Sequence, residues 1–391
     1  MSLYGTPGIY LRPVAPVPVA GLATGVPAFL GYAARPGSAG QMAAVNEPVA
    51  LRHWTEFVAA FGGAAAGGYL AAAVSGFFAN GGELCYVVAL ADDPVDPDQA
   101  LDDGLAAVAP VEDVDLVAAP DLSRPRPPLR QPPPIDALVR MQQRIIDECD
   151  RKGDRLALLD APADADVDGM LRYRGRLTGT NAALYYPWLV VGDPSSGGTR
   201  AVPPCGHVAG VYASTDQSVG VFKAPANAVL EGVLDLSRLI SSADQDRLNP
   251  VGVNALRAFP GRGIRVWGAR TLSTDANWRY VSVRRLFMTA GRWIERNLAA
   301  VAFEPHDTRL WARIGRELTV YFDGLFRAGA LKGATAVEAY FVKCDADTNP
   351  PAGREAGMVV TDIALAAAIP NEFIVVRISV APSGVTLAAL G

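Results

Sequence analysis

The stretch that most constrains this chain lies near its end, where residues 371–380 read Asn-Glu-Phe-Ile-Val-Val-Arg-Ile-Ser-Val. Ile374, Val376, Ile378 and Val380 fall on one face, and all are β-branched. Phe373, Val375, Arg377 and Ser379 take the other face, apolar at first and polar later. A period of two with such residues specifies a strand with one face buried. Pro370 before it and Pro382-Ser383-Gly384 after it punctuate both ends. No hairpin partner is expected nearby, so the strand should pair with a distant part of its own chain or with another molecule. Closing its own domain satisfies the first; exchange between subunits, with backbone hydrogen bonds as the adhesive, satisfies the second.

The chain is 391 residues long, enough for two or three domains with a large core. Half its residues are apolar and 19% are charged, which suits extensive buried surface. A net charge of −5 argues against a general nucleic-acid binder. Four scattered cysteines, Cys85, Cys149, Cys205 and Cys344, fit buried thiols better than a disulfide framework. The first residues lack a basic segment followed by an apolar run, so no signal peptide is expected. Residues 62–82 carry no charge and match a membrane span in length. They are glycine-rich, however, and Tyr69, Ala73 and Phe77 lie at helical spacing, so a buried helix is expected instead.

Along the chain, Gly8, Ile9, Tyr10 and Leu11 form a short strand candidate. Pro13, Pro16 and Pro18 then force an extended path, so residues 1–20 read as an arm that docks elsewhere. A strand at 26–31, helices at 54–61 and 69–78, and a strand at 83–90 follow. After Ala91 the texture changes to an acidic, proline-bearing junction through Asp102-Asp103. A strand at 114–118, a proline-rich loop at 124–134, a helix at 135–152 and a strand at 155–160 come next. A helix at 180–185 and a strand at 187–191 complete what reads as a small inserted α/β layer, residues 92–204. Residues 210–216 begin a helix, 235–240 suggest a short helical piece, and 263–268 a strand. Two amphipathic helices are expected at 283–302 and 308–328. A strand at 336–343, a loop at 345–353 and an apolar segment at 358–368 precede the terminal strand. The division expected is therefore an arm (1–20), a core (21–91), an insertion (92–204), a second core part (205–370) and a terminal arm (371–391).

No catalytic constellation is visible. There is no Gly-Lys pair for a phosphate loop, and Val266 breaks the dinucleotide pattern opened by Gly261 and Gly263. No serine is flanked by glycines two residues away on both sides. Cys205 and His207 lack a second ligand pair for a tetrahedral metal. Asp345-Ala-Asp347-Thr-Asn349 copies the opening of a calcium loop, but Pro350 and Ala356 stand where Gly and Glu are needed. Asp160 and Asp193 end strands, where α/β folds often bind ligands, without a glycine-rich loop beside them. No catalytic residue, metal or cofactor is assigned.

The second half of the chain resembles the contractile tail sheath proteins of phages and bacterial injection systems. The residues that carry the likeness are Gly210-Val-Tyr-Ala-Ser-Thr-Asp216, Gly220-Val-Phe-Lys-Ala-Pro-Ala-Asn227 and Gly263-Ile-Arg-Val-Trp-Gly-Ala-Arg-Thr-Leu272. Trp278-Arg-Tyr-Val281 with Arg284-Arg285, Phe303-Glu-Pro305 with Leu310-Trp311, and Cys344-Asp345 with Thr348-Asn349 continue it. Tyr4-Gly-Thr-Pro-Gly-Ile-Tyr10 and Ala183-Leu-Tyr-Tyr-Pro-Trp188 also match. The likeness is densest over 206–380 and weaker over 91–180.

The resemblance implies a mixed α/β (α+β), multi-domain sheath-like core with an inserted α/β domain and exchanged terminal β-arms. It implies a non-enzymatic polymer of stacked rings, hexameric by expectation, around an inner tube protein. Baseplate and terminator or cap proteins would be further partners, with no nucleic acid and no membrane insertion. The residues expected to exchange are Gly8, Ile9, Tyr10, Leu11, Phe373, Ile374, Val375, Val376, Arg377 and Ile378. Arg354, Glu355 and Met358 are the expected tube contact. Assembly would occur in the bacterial cytoplasm, and the product would be a phage tail or an injection particle. The competing readings are a soluble α/β enzyme and a surface-binding module, each using the inserted domain.

Overall fold

The structure is a computed structural model. It describes residues 22–34, 44–92 except 64 and 66, 95–125, 132–193, 196–370 except 302 and 356, residue 372, and the backbone of 375–381 and 384–390.

The first segment contains β1 (Pro27–Gly31), β2 (Val49–Leu51), α1 (Trp54–Phe61), α2 (Leu70–Ala79) and β3 (Cys85–Ala89). The next alternates α3 (Pro97–Val108), β4 (Leu116–Ala118), α4 (Ile135–Lys152), β5 (Leu156–Asp160), α5 (Val167–Arg174) and β6 (Ala182–Tyr186). Then come β7 (Leu189–Asp193), β8 (Gly198–Val202), α6 (Cys205–Ser218), β9 (Val233–Leu236), α7 (Ser242–Leu248), β10 (Val253–Phe259) and β11 (Gly263–Val266). The last part holds α8 (Val281–Leu298), α9 (Thr308–Arg327), α10 (Ala336–Ala339), β12 (Tyr340–Lys343), α11 (Pro351–Glu355), β13 (Asp362–Leu365), β14 (Val375–Ala381) and β15 (Gly384–Leu390).

Eight strands form one sheet in the order β11-β10-β6-β5-β4-β1-β3-β2. The six from β10 to β3 run parallel, and β11 and β2 close the edges antiparallel. A parallel sheet needs cover on both faces. α1, α2 and α6 pack on one face around Phe29, Phe77 and Tyr212. α3, α4, α5 and α7 pack on the other around Leu30, Leu159 and Ile145. The architecture is mixed α and β, as expected. The expected break at residues 91 and 92 is not one, because β4, β5 and β6 are hydrogen-bonded between β1 on one side and β10 on the other. Residues 92–204 supply the middle of a shared sheet, where their apolar strands are covered on both faces.

Four local readings are corrected. The acidic junction is the start of α3: Asp96 caps it by accepting from Asp98 N–H at 2.9 Å, and Pro97 fills the first turn. Residues 180–185 are strand β6, not helix, since Ala182–Tyr186 is buried throughout and lacks the period that would expose either alternative. Residues 235–240, expected as helical, fall partly in strand β9, which pairs with β7 in a separate antiparallel sheet of order β8-β7-β9. The expected strand at 336–343 also begins with a turn of helix, α10.

The uncharged segment contains α2, which crosses α6 closely: a Cβ at Gly76 of α2 would overlap the His207 ring of α6. A Cβ at Gly206 would overlap the Ala73 carbonyl, and one at Gly210 the Phe77 carbonyl. The two helices pass backbone against backbone, which only glycine permits. Among the described residues no helix is long and apolar enough to cross a membrane.

α8 joins this sheet to a C-terminal lobe. Its first half is buried: Arg285 Nη1 donates to Asp216 Oδ1 at 2.8 Å, and Nη2 donates to Asp216 Oδ2 at 2.6 Å and Asp115 Oδ2 at 2.7 Å. Asp115 also accepts from Gly25 N–H at 3.1 Å and Val26 N–H at 2.7 Å. Burial alone would make the guanidinium easier to deprotonate, but the two carboxylates outweigh it and hold Arg285 charged. The second half of α8 stacks Trp293 on Tyr321 of α9, with ring centroids 3.9 Å apart, over a core of Leu310, Ile314, Leu318 and Phe322.

Two outcomes are expected. Arg285→Ala leaves Asp115 and Asp216 buried without their cation and should cost about 3–5 kcal/mol in denaturant unfolding. Arg285→Lys should recover only part, because an ammonium lacks the two-pronged geometry. Asp160, at the end of β5, accepts the Cys205 N–H at 2.9 Å, and burial lifts its pKa to about 7 against that hydrogen bond. An unfolded Asp titrates near ~3.9. The native state therefore binds the extra proton between these values, and this residue's contribution to stability falls as pH rises through that window. Unfolding free energy of wild type minus that of Asp160→Asn should decrease from pH 4 to pH 7; a flat difference would show that Asp160 does not titrate there.

Candidate assembly interface

The C-terminal strand has a neighbour that the sequence reading missed. β14 pairs antiparallel with β15, from Val375 opposite Leu390 to Ala381 opposite Gly384. Pro382-Ser383-Gly384 reads in the sequence as an end, and Ala388 and Ala389 dilute the strand pattern beyond it. The hairpin is a two-stranded sheet by itself, and neither strand joins any other sheet among the described residues. Two strands alone are marginal in water, and both outer edges carry unpaired backbone groups. Val375, Val376, Arg377 and Ile378 lie in β14. Phe373 and Ile374, and Gly8, Ile9, Tyr10 and Leu11 of the other arm, lie outside the described residues.

A second two-stranded sheet stands in the C-terminal lobe. β12 pairs antiparallel with β13, from Tyr340 opposite Leu365 to Lys343 opposite Asp362. Its inner face packs on α9 through Leu365 and Ile363, while Phe341 is 51% exposed. Among the described residues this chain thus carries two separate two-stranded sheets on its C-terminal side.

Between them lies an ionic contact that sequence reasoning did not single out. Arg270 Nε donates to the two carboxylate oxygens of Glu372 at 2.9 and 3.1 Å, and Nη2 also bonds Glu372. The hydrogen bonds that Arg270 donates to Glu372 raise the pKa of Arg270 despite burial. Arg270 sits within a motif that carried the resemblance, but only the tertiary structure pairs it with the arm.

The expected tube contact is at the surface. Arg354 and Glu355 end α11, Met358 is 57% exposed, and Val359 and Val360 beside it are exposed as well. Arg354 lies over the Trp311 ring at 5.9 Å. The neighbouring loop that copies a calcium site is instead a turn. Asp345 Oδ1 accepts from Asp347 N–H at 2.9 Å, and Lys343 Nζ donates to Asp347 Oδ2 at 2.7 Å, placing a cation already in the loop. Asn349, almost wholly buried, ties the turn to Val360 with bonds of 2.8 and 2.9 Å.

The residues weighed for an enzyme site are brought into structural roles. Asp160 caps α6, and Asp193 accepts from Ser196 Oγ at 2.8 Å. His207 is buried against Gly76, and burial lowers its pKa to about 4. A cleft of about 820 Å³ beside Pro162–Asp166 contains Tyr173, Arg172, Arg176 and Arg238, but not Asp160 or Asp193. Among the described residues no three His, Cys, Asp or Glu side chains are grouped to hold a metal.

Known proteins share this arrangement. Residues 135–272 match the profile of the phage tail sheath protein central domain. A putative prophage major tail sheath protein of Pseudomonas aeruginosa (strain UCBPP-PA14) is 29% identical over 131 residues, 32% of this chain and 34% of that protein. The matched stretch spans about a third of the length of the curated relatives. Over nearly the whole chain, the fold superposes on a chain of the anti-feeding prophage baseplate, with TM-score 0.75, 29% identity, and 96% and 99% of the two chains covered. It superposes equally on a chain of the contracted PVC sheath complex of an extracellular contractile injection system, with TM-score 0.75, 27% identity, and 98% and 99% covered. Profile, sequence and nearly full-length fold agree: residues 135–272 match a phage tail sheath central domain, and the chain as a whole is similar to chains of contractile sheath assemblies.

Proposed function

We propose that the chain is a structural sheath subunit that polymerises as stacked helical rings around an inner tube and contracts to drive that tube through a target envelope. The observation that carries this reading is a C-terminal hairpin that joins no other sheet among the described residues, on a chain whose fold matches chains of contractile sheath structures. Each hairpin would extend a short sheet of an adjoining copy, and the N-terminal arm would do the same. Pairing edges in this way satisfies backbone donors and acceptors and removes an aggregation hazard. Contraction is then a switch between two packings of rigid bodies whose strand pairing survives, with the energy stored in assembly.

The partners proposed are further copies in hexameric rings, an inner tube protein met by Arg354, Glu355 and Met358, and baseplate and cap proteins. Single charge contacts at a wet surface are weak, which suits an interface that must release. The particle would be a phage tail or an injection device, assembled in the bacterial cytoplasm. Asp160 and Asp193 do not share the cleft beside them, so no enzyme reading is favoured.

Electron microscopy of the purified protein should show tubes or rings; discrete, monodisperse particles at all concentrations would count against the sheath. Deleting residues 1–15 should leave a folded subunit, judged by circular dichroism, that no longer polymerises. Arg354→Glu should reduce co-sedimentation with inner tube while self-assembly into sheath stays intact.

A further inference from the structure

Arg270 and Glu372 meet at the root of the C-terminal arm, and neither is among the residues expected to exchange. Arg270 is locked in place by its own backbone. Its N–H donates to Asn254 Oδ1 at 2.7 Å, and its carbonyl accepts from Asn254 Nδ2 at 2.8 Å. Asn254 is fully buried in β10, so the arginine's position is set by the central sheet. The guanidinium is used to the full: Nε and Nη2 hold Glu372, and Nη1 donates to the Asn249 carbonyl at 3.1 Å. Arg270 is 7% exposed, and Glu372 is the carboxylate paired with it among the described residues.

The chain is stitched down once before it reaches this point. Lys332 N–H donates to the Ala366 carbonyl at 2.7 Å, and Ala368 N–H to the Ala330 carbonyl at 3.0 Å. Glu372 is a second fixed point, three residues before β14. A groove of about 610 Å³ lies beside it, lined by Pro370, Glu372, Trp267 and Arg257 among others.

We propose that the Arg270–Glu372 pair is a latch that fixes the launch point of the exchanged hairpin, making both side chains positioning residues for assembly. This rests on the strand-exchange reading above. Without the latch, the last fixed residue is Ala368, and β14 can start up to about 25 Å from it. With the latch, the distance from Glu372 is at most about 10 Å. The volume the hairpin searches shrinks roughly 15-fold, and its effective concentration at a neighbouring sheet rises in proportion. A buried arginine releases its carboxylate only at a large desolvation cost, so the latch holds while subunit bodies rotate. The arm then pivots beyond residue 372.

Full-length Glu372→Gln keeps the shape and removes the charge. Sedimentation and negative-stain microscopy should show tubes only at about tenfold higher protein concentration than wild type. The unassembled subunit should stay folded by circular dichroism, with a lower melting temperature because the buried guanidinium loses its carboxylate, and Glu372→Asp should recover much of both losses. Assembly of Glu372→Gln at the wild-type concentration overturns the latch. A fall in melting temperature that Glu372→Asp does not reverse also overturns it, by marking the pair as merely structural. A chain ending at residue 370 separates the two ideas: tubes from it refute strand exchange and the latch together. No tubes from it, with normal assembly of Glu372→Gln, refute the latch alone.

Discussion

The contact on which the rest of the structure depends is the buried cluster of Arg285 with Asp115 and Asp216. It brings together the start of β4, the end of α6 and the first turns of α8, three parts far apart in the chain. Such a cluster adds little net stability, because removing three charges from water costs nearly what their attraction returns. Its effect is registry. The charged groups tolerate one arrangement, and that arrangement holds α8, and through it the C-terminal lobe, in a set orientation on the main sheet. Arg292, two helical turns further along the same face, extends the joint by donating to the Glu112 and Asp113 carbonyls at 2.7 and 3.1 Å. A subunit that transmits force in a contracting polymer needs this kind of stiffness between its parts.

Around that rigid body smaller pieces collect on the C-terminal side: two separate two-stranded sheets, exposed apolar residues at 358–360, and an arm held by one ion pair. The division makes physical sense for the proposed sheath. Interactions that must survive a change of packing are directional backbone ladders and a buried ion pair, which break only at high cost. Those that must let go are weak surface contacts in high dielectric.

Much of this could be read from residues alone, and the pattern of success has a cause. α1 and α4 were placed at their observed bounds because their apolar stripes and end signals agree. The dispersed motifs that suggested the family prove to be neighbours in space: Tyr185 and Tyr212 share a hydroxyl contact of 2.8 Å, and Asp216 meets Arg285. Their residue types are demanded by burial, which is why they stood out. What failed was context. β6 is apolar at every position and looks like a helix as easily as a strand, and Asp96-Pro97 looks like a linker until the face behind it is covered. The missed β15 and the missed Arg270–Glu372 pair are both matters of partner choice, on which a local pattern is silent.

The order of residues by itself determined that the chain has amphipathic helices, β-branched strands with punctuated ends, no phosphate loop and a terminal strand wanting a partner. These are properties of short range, set by side-chain periodicity and backbone geometry within a few residues. Only the tertiary structure decided that β4, β5 and β6 lie inside the common sheet, that the last strand folds into a hairpin joined to no other sheet among the described residues, and that Glu372 reaches back to Arg270. Each of those depends on which distant surface is available when water is excluded, a competition settled by the whole chain at once.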